Sequence, residues 1–429
     1  MLNRESVAAV EAARFGSRFV CPLYDTYGFA RISATLERLL TGAGAAPLPA
    51  AALAGLAARY ETIVLIVVDG FGWRFFAPWA ERHPLLRRFM ADGVVSRLTT
   101  MFPSTTAAHV TALHTGLDPA ASGVFEWFLY EPGVGRMVAP LLFSFAGDRA
   151  RETLLAAGVD PGAIFPADTL YRRLAARGVA TTVYQDHTYA RSPATGALCA
   201  GAEVASFRTL PEALVRIAGQ LAADLGPTLH HLYIDTVDTI AHLYGPESPH
   251  VEAQIDSVLT AIERVLHPAL ADLGRPALLL LTADHGQIAI DPGRAHLVDR
   301  LVPWLREATP TGADGRPLAP AGSSRDLFLH VRPERLDAVH AALGEALAGL
   351  AEVHRADDLV ASGLFGPAPS PALHARMADL VVLPFPGETV WWDDPRFRIV
   401  FRGLHGGLSP EEAHTQIAAL AYGPPSSRS

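Results

Sequence analysis

TIVLIVVDG (62–70) is a seven-residue run rich in Val and Ile followed by an Asp and a Gly. Its residues do not alternate between apolar and polar, so it reads as a strand buried on both faces. HHLYIDTVD (230–238) and ALLLLTADHG (277–286) repeat the pattern, and each also ends in an acidic residue followed by turn-like sequence. ATTVYQ (180–185) and ADLVVLPF (378–385) are further strand candidates. Helical periodicity fills the spaces between, as in LYRRLAARG (170–178), PEALVRIAGQLAADLG (211–226) and HVEAQIDSVLTAIERVLHPAL (250–270). Strands alternating with helices predict an α/β fold of three layers, with a mostly parallel central sheet covered on both sides. Ligands of such sheets gather at the carboxyl ends of the strands. Three strands that each deliver an Asp to that edge therefore mark one place.

The pattern changes after residue 290. A Gly/Pro/Ala stretch, TPTGADGRPLAPAG (309–322), leads into strand-like SRDLFLHVRP (324–333), helix-like ERLDAVHAALGEALAGL (334–350) and AEVHRADDLVASG (351–363). The expected division is a core of residues 1–290 and 381–429 with a small α+β insert at 291–380, either a packing cap or a substrate-selecting lid.

Composition narrows the function classes. The 429 residues are 50% hydrophobic and 18% charged, as in an ordinary globular chain,. The net charge of −9 offers no basic surface for nucleic-acid polymers or anionic membranes,. There is no Lys, which excludes Schiff-base and P-loop-lysine mechanisms. Cys21 and Cys199 are too few for a cysteine-rich zinc site or a disulfide scaffold,. No apolar run reaches the roughly 18 residues of a transmembrane helix, and MLNRESVAAVEAARFG has no signal-peptide core,. The expectation is a soluble, cytoplasmic protein without membrane association; the oligomeric state is left open.

Five stretches carry candidate chemistry. Asp69 ends the first strand, where a turn former or helix cap is the plain alternative. Asp238 and His242 are spaced i, i+4, which puts both on one face of a helix and lets them converge on an ion at roughly 2.0–2.2 Å. Asp235 competes as a carboxylate from the preceding strand. Asp284 and His285 follow a fully apolar strand, where packing explains an adjacent Asp-His pair poorly. His405 sits among Gly403, Gly406 and Gly407, before a helix start at Ser409-Pro410; His414 is expected on that helix's surface,. In RLTTMFPSTTAAHVTALHTGLDP (97–119), a hydroxyl-rich loop opens a small-residue helix whose free N–H groups suit an anion,. Thr106 lies beside those donors; a capping cluster of Ser104, Thr105 and Thr106 is the alternative. Carboxylates and imidazoles without thiolates favour a catalytic Zn²⁺ or Mn²⁺ site.

The order strand-Asp, loop-Thr, D-x3-H, D-H and late His resembles the alkaline phosphatase superfamily. Within it the chain is most similar to the nucleotide pyrophosphatase/phosphodiesterase (type I phosphodiesterase) branch. IVVDGFG (66–72), MFPSTTAAHVTALHTGL (101–117), YIDTVDTIAHLYGP (233–246), TADHG (282–286) and GLHGGLSPEE (403–412) carry the likeness. It implies an alkaline phosphatase-like core and a phosphodiester or pyrophosphate hydrolase acting on a small phosphate ester. It also implies two Zn²⁺, with Mn²⁺ or Mg²⁺ as alternatives. One ion would be held by Asp238, His242 and His405, and the other by Asp69, Asp284 and His285. Thr106 would be the nucleophile and form a phospho-threonine intermediate.

Two positions depart from the branch's pattern. Nucleotide-cleaving relatives carry an aromatic after the nucleophile, here Ala107, and an Asn about twenty residues on, where GVFEWFLY (123–130) offers Glu126 and Trp127. Trp127, Glu126, Phe125 and Tyr244 are the candidates for substrate contacts. The alternatives are a phosphomonoesterase or phosphonate hydrolase on the same scaffold, in which Arg74, Arg294 or Arg325 would take the extra charge, and a non-catalytic binding protein of the same fold. A sulfatase is disfavoured by Thr106 standing where a Cys would be needed.

Overall fold

The structure, a computed structural model, describes residues 1–423. Seven strands form the central sheet: β1 (Thr62–Val68), β2 (Val94–Thr99), β3 (Ala180–Asp186), β4 (Glu203–Phe207), β5 (Thr228–Ile234), β6 (Ala277–Thr282) and β7 (His414–Tyr422). Their spatial order is β2-β7-β6-β1-β5-β3-β4. β7 pairs antiparallel with both neighbours, and every other pairing is parallel.

β1 lies at the centre, and its two sets of side chains feed two cores. Val64, Ile66 and Val68 pack with helices Trp73–Arg82, Pro84–Asp92, Leu210–Ala223 and Pro249–Ala271. Ile63, Leu65 and Val67 pack with Ile32–Thr41, Thr106–Thr115 and Leu170–Ala175. Burial on both faces is the reason the run shows no alternation, and the three-layer α/β expectation holds. Among the described residues no helix is long and apolar enough to cross a membrane.

The insert is larger than expected. Leu380–Pro384, taken from the sequence as a return to the core, pairs instead with Asp326–Leu329 and Ala351–Arg355 in a separate four-stranded antiparallel sheet. Val390–Trp391 pairs with His296–Leu297, and the chain regains the core at Gly403–Leu404, which pairs with Ile288–Ala289. An apolar run of five residues shows burial but not which sheet buries it. A three-stranded sheet at Leu129–Glu131, Arg136–Ala139 and Ser144–Phe145 shares a core with the insert through Phe125, Phe328 and Phe365.

Candidate active site

The carboxyl edge of the sheet collects the six expected ligands. Thr282 is level with Val67 and Ile234 with Val68, so Asp284 and Asp69 emerge side by side just past the pairing. Asp238 and His242 project from the same face of helix Thr236–Tyr244, with His242 Nε2 at 3.1 Å from Asp238 Oδ2. β7 runs antiparallel, so the turn before it brings His405 to this edge as well, with Nε2 at 3.8 Å from Asp238 Oδ1. His285 Nε2 lies 3.4 Å from Asp69 Oδ1 and 3.6 Å from Asp284 Oδ2. Thr106 opens helix Thr106–Thr115, and its Oγ1 is 3.1 Å from the same His285 nitrogen. Thr105, not Thr106, is the cap, accepting from Ala107 N–H. That leaves the Thr106 hydroxyl free to face the carboxylates.

All three imidazoles are held in one tautomer. Nδ1 of His242 donates to Gly403 O at 2.7 Å, that of His285 to Gly286 O at 3.0 Å, and that of His405 to Ser104 O at 2.9 Å. Every Nε2 lone pair therefore points inward, which is how ligating histidines are fixed by their outer partners. The ligand atoms of Asp238, His242 and His405 lie within 4.8 Å of one another, as do those of Asp69, Asp238 and His285. Asp238 belongs to both groups.

The electrostatics call for a cation. Burial pushes the Asp69 carboxyl well above its ordinary range, and the charges of Asp284 and Asp238 push it further. Burial raises Asp284 to about 6. Burial also works against the charge of Asp238, but His242 holds that carboxyl below the usual range. His285 and His405 are lowered by burial to about 4 and about 3, so both are neutral and able to ligate. Asp69 Oδ1 is buried with no hydrogen-bond donor on it. Burial works against a proton on His242, but Asp238 beside it raises that imidazole, so a cation there would displace its proton. Three buried carboxylates meeting three imidazoles, without thiolate, fit divalent cations of the zinc or manganese type.

Three residues of the site gave no signal in the sequence. The Tyr233 hydroxyl bonds Asp69 Oδ2 and lies 3.3 Å from Asp284 Oδ2. Gln287 Nε2 donates to the main-chain and side-chain oxygens of Asp238. Buried His109 accepts Met101 N–H at 2.9 Å and donates to Thr105 O at 2.7 Å, tying the loop before Thr106 to its helix. Ser104 was read only as part of a capping cluster. Its Oγ accepts Gly406 N–H and donates to Gly407 O, which joins the nucleophile loop to the His405 turn.

A cavity of about 510 Å³ opens beside Thr106. Trp127, Phe128, Leu142, Trp391, Phe397 and Phe401 give it a largely apolar wall. Glu126 lines it too, buried against Asp326. Tyr244 does not: two residues past His242 on a helix it faces away, 47% exposed and stacked on His250 at 3.9 Å,. Phe125 lies in the core of the insert side. None of Arg74, Arg294 and Arg325 reaches the cavity; Arg396 and Arg398 line it instead. His414 is also not on a helix surface. It begins β7, buried, with Arg97 Nη2 on its Nδ1 at 2.6 Å.

Residues 63–394 match the profile of the type I phosphodiesterase/nucleotide pyrophosphatase family. A search of curated protein sequences finds no match. Among solved structures, the chain resembles an inactive Thr-to-Ala variant of murine ectonucleotide pyrophosphatase/phosphodiesterase 5 in complex with AMP. That likeness has a TM-score of 0.63 at 16% identity and covers 85% of this chain and 88% of that one. The same murine protein without the substitution gives 0.62 at 17%, and its human counterpart 0.62 at 18%, each with the same coverage. At this identity the likeness speaks for the fold. The family match, which runs over most of the chain and takes in all three Asp-bearing strand ends and the loop of Thr106, settles the class: the chain belongs to the type I phosphodiesterase/nucleotide pyrophosphatase family of phosphoric ester hydrolases.

Proposed function

We propose that this hydrolase cleaves small-molecule phosphodiester or pyrophosphate bonds by way of a phospho-threonine on Thr106, at a site for two divalent cations, with zinc as the preferred metal. The observation that carries the reading is the placement of the Thr106 hydroxyl, at a helix N-terminus and 3.1 Å from an imidazole nitrogen that also faces two carboxylates. Asp238, His242 and His405 would hold one cation, and Asp69, Asp284 and His285 the other, with the Asp238 carboxylate within ligand distance of the second group as well. When bound, such a pair lowers the pKa of the threonine hydroxyl and of water, and offsets charge on the attacking and leaving oxygens.

Thr106 Oγ gives up its proton to solvent and attacks phosphorus, the bond to the leaving oxygen breaks, and that oxygen departs with a proton from solvent. Water then attacks the phospho-threonine, returning Thr106 and releasing the second product with net retention at phosphorus. The free N–H groups at the start of helix Thr106–Thr115 face the phosphoryl oxygens. The apolar wall takes a substituent with an extended apolar face, and the AMP held by the murine relative is one such shape.

The test is hydrolysis of bis-p-nitrophenyl phosphate against p-nitrophenyl phosphate by the zinc-loaded protein, with chelated protein as control. Diester preference lost on chelation is expected. Monoester preference would replace the reading by a phosphomonoesterase in which Arg396 and Arg398 take the extra charge.

Two smaller predictions arise here. Trp127→Ala removes part of the wall but no ligand, so KM for an aryl diester rises about tenfold with kcat little changed. Equal loss in kcat and kcat/KM would place Trp127 at the transition state instead. Zinc affinity should also depend on pH. The raised carboxyl of Asp284 keeps a proton up to about pH 6, and zinc must displace it. Below that pH the Asp284 proton competes, and above it the raised Asp69 carboxyl and the raised His242 imidazole still do, so affinity falls by at least about tenfold per pH unit below 6 and less steeply above,. Calorimetric zinc titrations at pH 5 and pH 7, in buffers of different ionisation enthalpy, read both affinity and proton release. Equal affinity at the two pH values would remove the proton from Asp284.

A further inference from the structure

Glu412 lies in the short helix Pro410–Ala413, between the His405 turn and β7, and it is fully buried. It touches both histidine-bearing turns. Its main-chain carbonyl accepts Gly286 N–H at 2.9 Å, next to His285. Its Oε1 accepts Gly407 N–H at 3.1 Å, two residues past His405. A lone carboxylate does not stay ionised in such a place.

Arg325 supplies the counter-charge. Its Nε donates to Glu412 Oε1 at 2.9 Å and its Nη2 to Oε2 at 2.8 Å, a two-pronged contact with no exposure on either side chain,. Nη1 is used up on the carbonyls of Phe385 and Glu388. This arginine belongs to the insert, in the turn between strands Ala321–Ser323 and Asp326–Leu329. Nearby Ser323 Oγ reaches the His405 carbonyl at 3.3 Å. The turns are packed to contact: a Cβ on Gly407 would lie 3.0 Å from Glu412 Oε2, and one on Gly286 would lie 2.1 Å from the Glu411 carbonyl oxygen.

We propose that Arg325 and Glu412 are positioning residues through which the insert sets the spacing of the His285 and His405 turns, so that the cation site depends on the insert to form. The proposal rests on the metal reading given above. The insert is then part of the metal centre's frame as well as a wall of the cavity.

A buried ion pair that merely holds the fold behaves differently under substitution. Apolar residues of similar size often replace such a pair without loss of stability. The Arg325→Met/Glu412→Leu double variant would then recover everything if packing were the whole role. If the pair positions the turns, the double variant folds but lacks the acceptor for Gly407 N–H. Glu412→Asp keeps the charge beside Arg325 while drawing the carboxylate back from Gly407.

Zinc affinity is measured by chelator competition on wild type and both variants, with unfolding temperature and near-ultraviolet circular dichroism as controls for the fold. Folded variants should bind zinc about 10–100-fold more weakly, as outer-partner substitutions do, and reach wild-type stoichiometry at saturating zinc. Wild-type affinity in either folded variant overturns the proposal. Should the double variant not fold, Glu412→Asp decides alone: weaker binding upholds the proposal and unchanged binding overturns it. Wild-type protein that binds no zinc would instead refute the metal reading itself, a separate result.

Discussion

Thr106→Ala is expected to lower kcat on a phosphodiester by on the order of 10⁴-fold or more, because the variant loses the atom that bonds to phosphorus. The fold should not notice. Thr105 remains as the cap on Ala107 N–H, and Ala is a better helix former than Thr at the first helical position,. Stability should stay within about 0.5 kcal/mol of wild type, and metal content should not change, since Thr106 is not among the carboxylates and imidazoles that converge. Thr106→Ser keeps a hydroxyl on the same helix start and should keep most of the rate. Single-turnover quench of wild type with labelled substrate should trap phosphate on residue 106, and the Ala variant should trap none. Wild-type turnover by Thr106→Ala would end the nucleophile assignment. Loss of zinc together with turnover would make Thr106 a ligand first.

What the sequence disclosed depended on how local each signal was. Asp69 and Asp284 stood out because each ends a run too apolar to be anything but a buried strand, and sheet geometry then puts their side chains on one edge. Asp238 and His242 were legible from spacing alone, since a helix converts i, i+4 into a shared face. The glycines around His405 marked a close approach, and the structure shows what approaches: a Cβ on Gly406 would meet Asp326 Oδ1 at 2.5 Å.

Tyr233 and Gln287 act over long sequence distances, whereas His109 ties Met101 to Thr105 within its own segment. Tyr233 looks like an ordinary strand aromatic until its hydroxyl meets Asp69, 164 positions away. Gln287 and His109 have equally bland local surroundings. The Ser409-Pro410 start does open a helix, but it lasts one turn, Pro410–Ala413, and the nine-residue strand that follows takes His414 into the sheet. Arg325 was expected to be available to substrate; its partner Glu412 lies on the far side of the insert in sequence, so no local pattern could show that its charge was already matched.

Asp238 should be the most damaging ligand to lose, because it is the one residue that both ligand groups share. Its Oδ2 is 3.1 Å from His242 and its Oδ1 3.8 Å from His405, and its carboxylate lies within ligand distance of Asp69 and His285 as well. Gly70, with φ of +72°, permits this approach: a Cβ there would come within 3.0 Å of the Asp238 Cα and Cβ,. Asp238→Asn preserves the shape and removes the charge, leaving two carboxylates where three offset the cations. Metal titration should show both sites weakened, whereas His242→Ala, which strips a ligand from only one group, should leave one site tight. Losing roughly 4 kcal/mol of charge stabilisation at the transition state corresponds to about a thousandfold in rate. The Asn variant should therefore fall at least that far at zinc levels that saturate wild type. If Asp238→Asn keeps one site at wild-type affinity, Asp238 serves the His242–His405 site alone. Asp69, Asp284 and His285 would then suffice for the second cation without it.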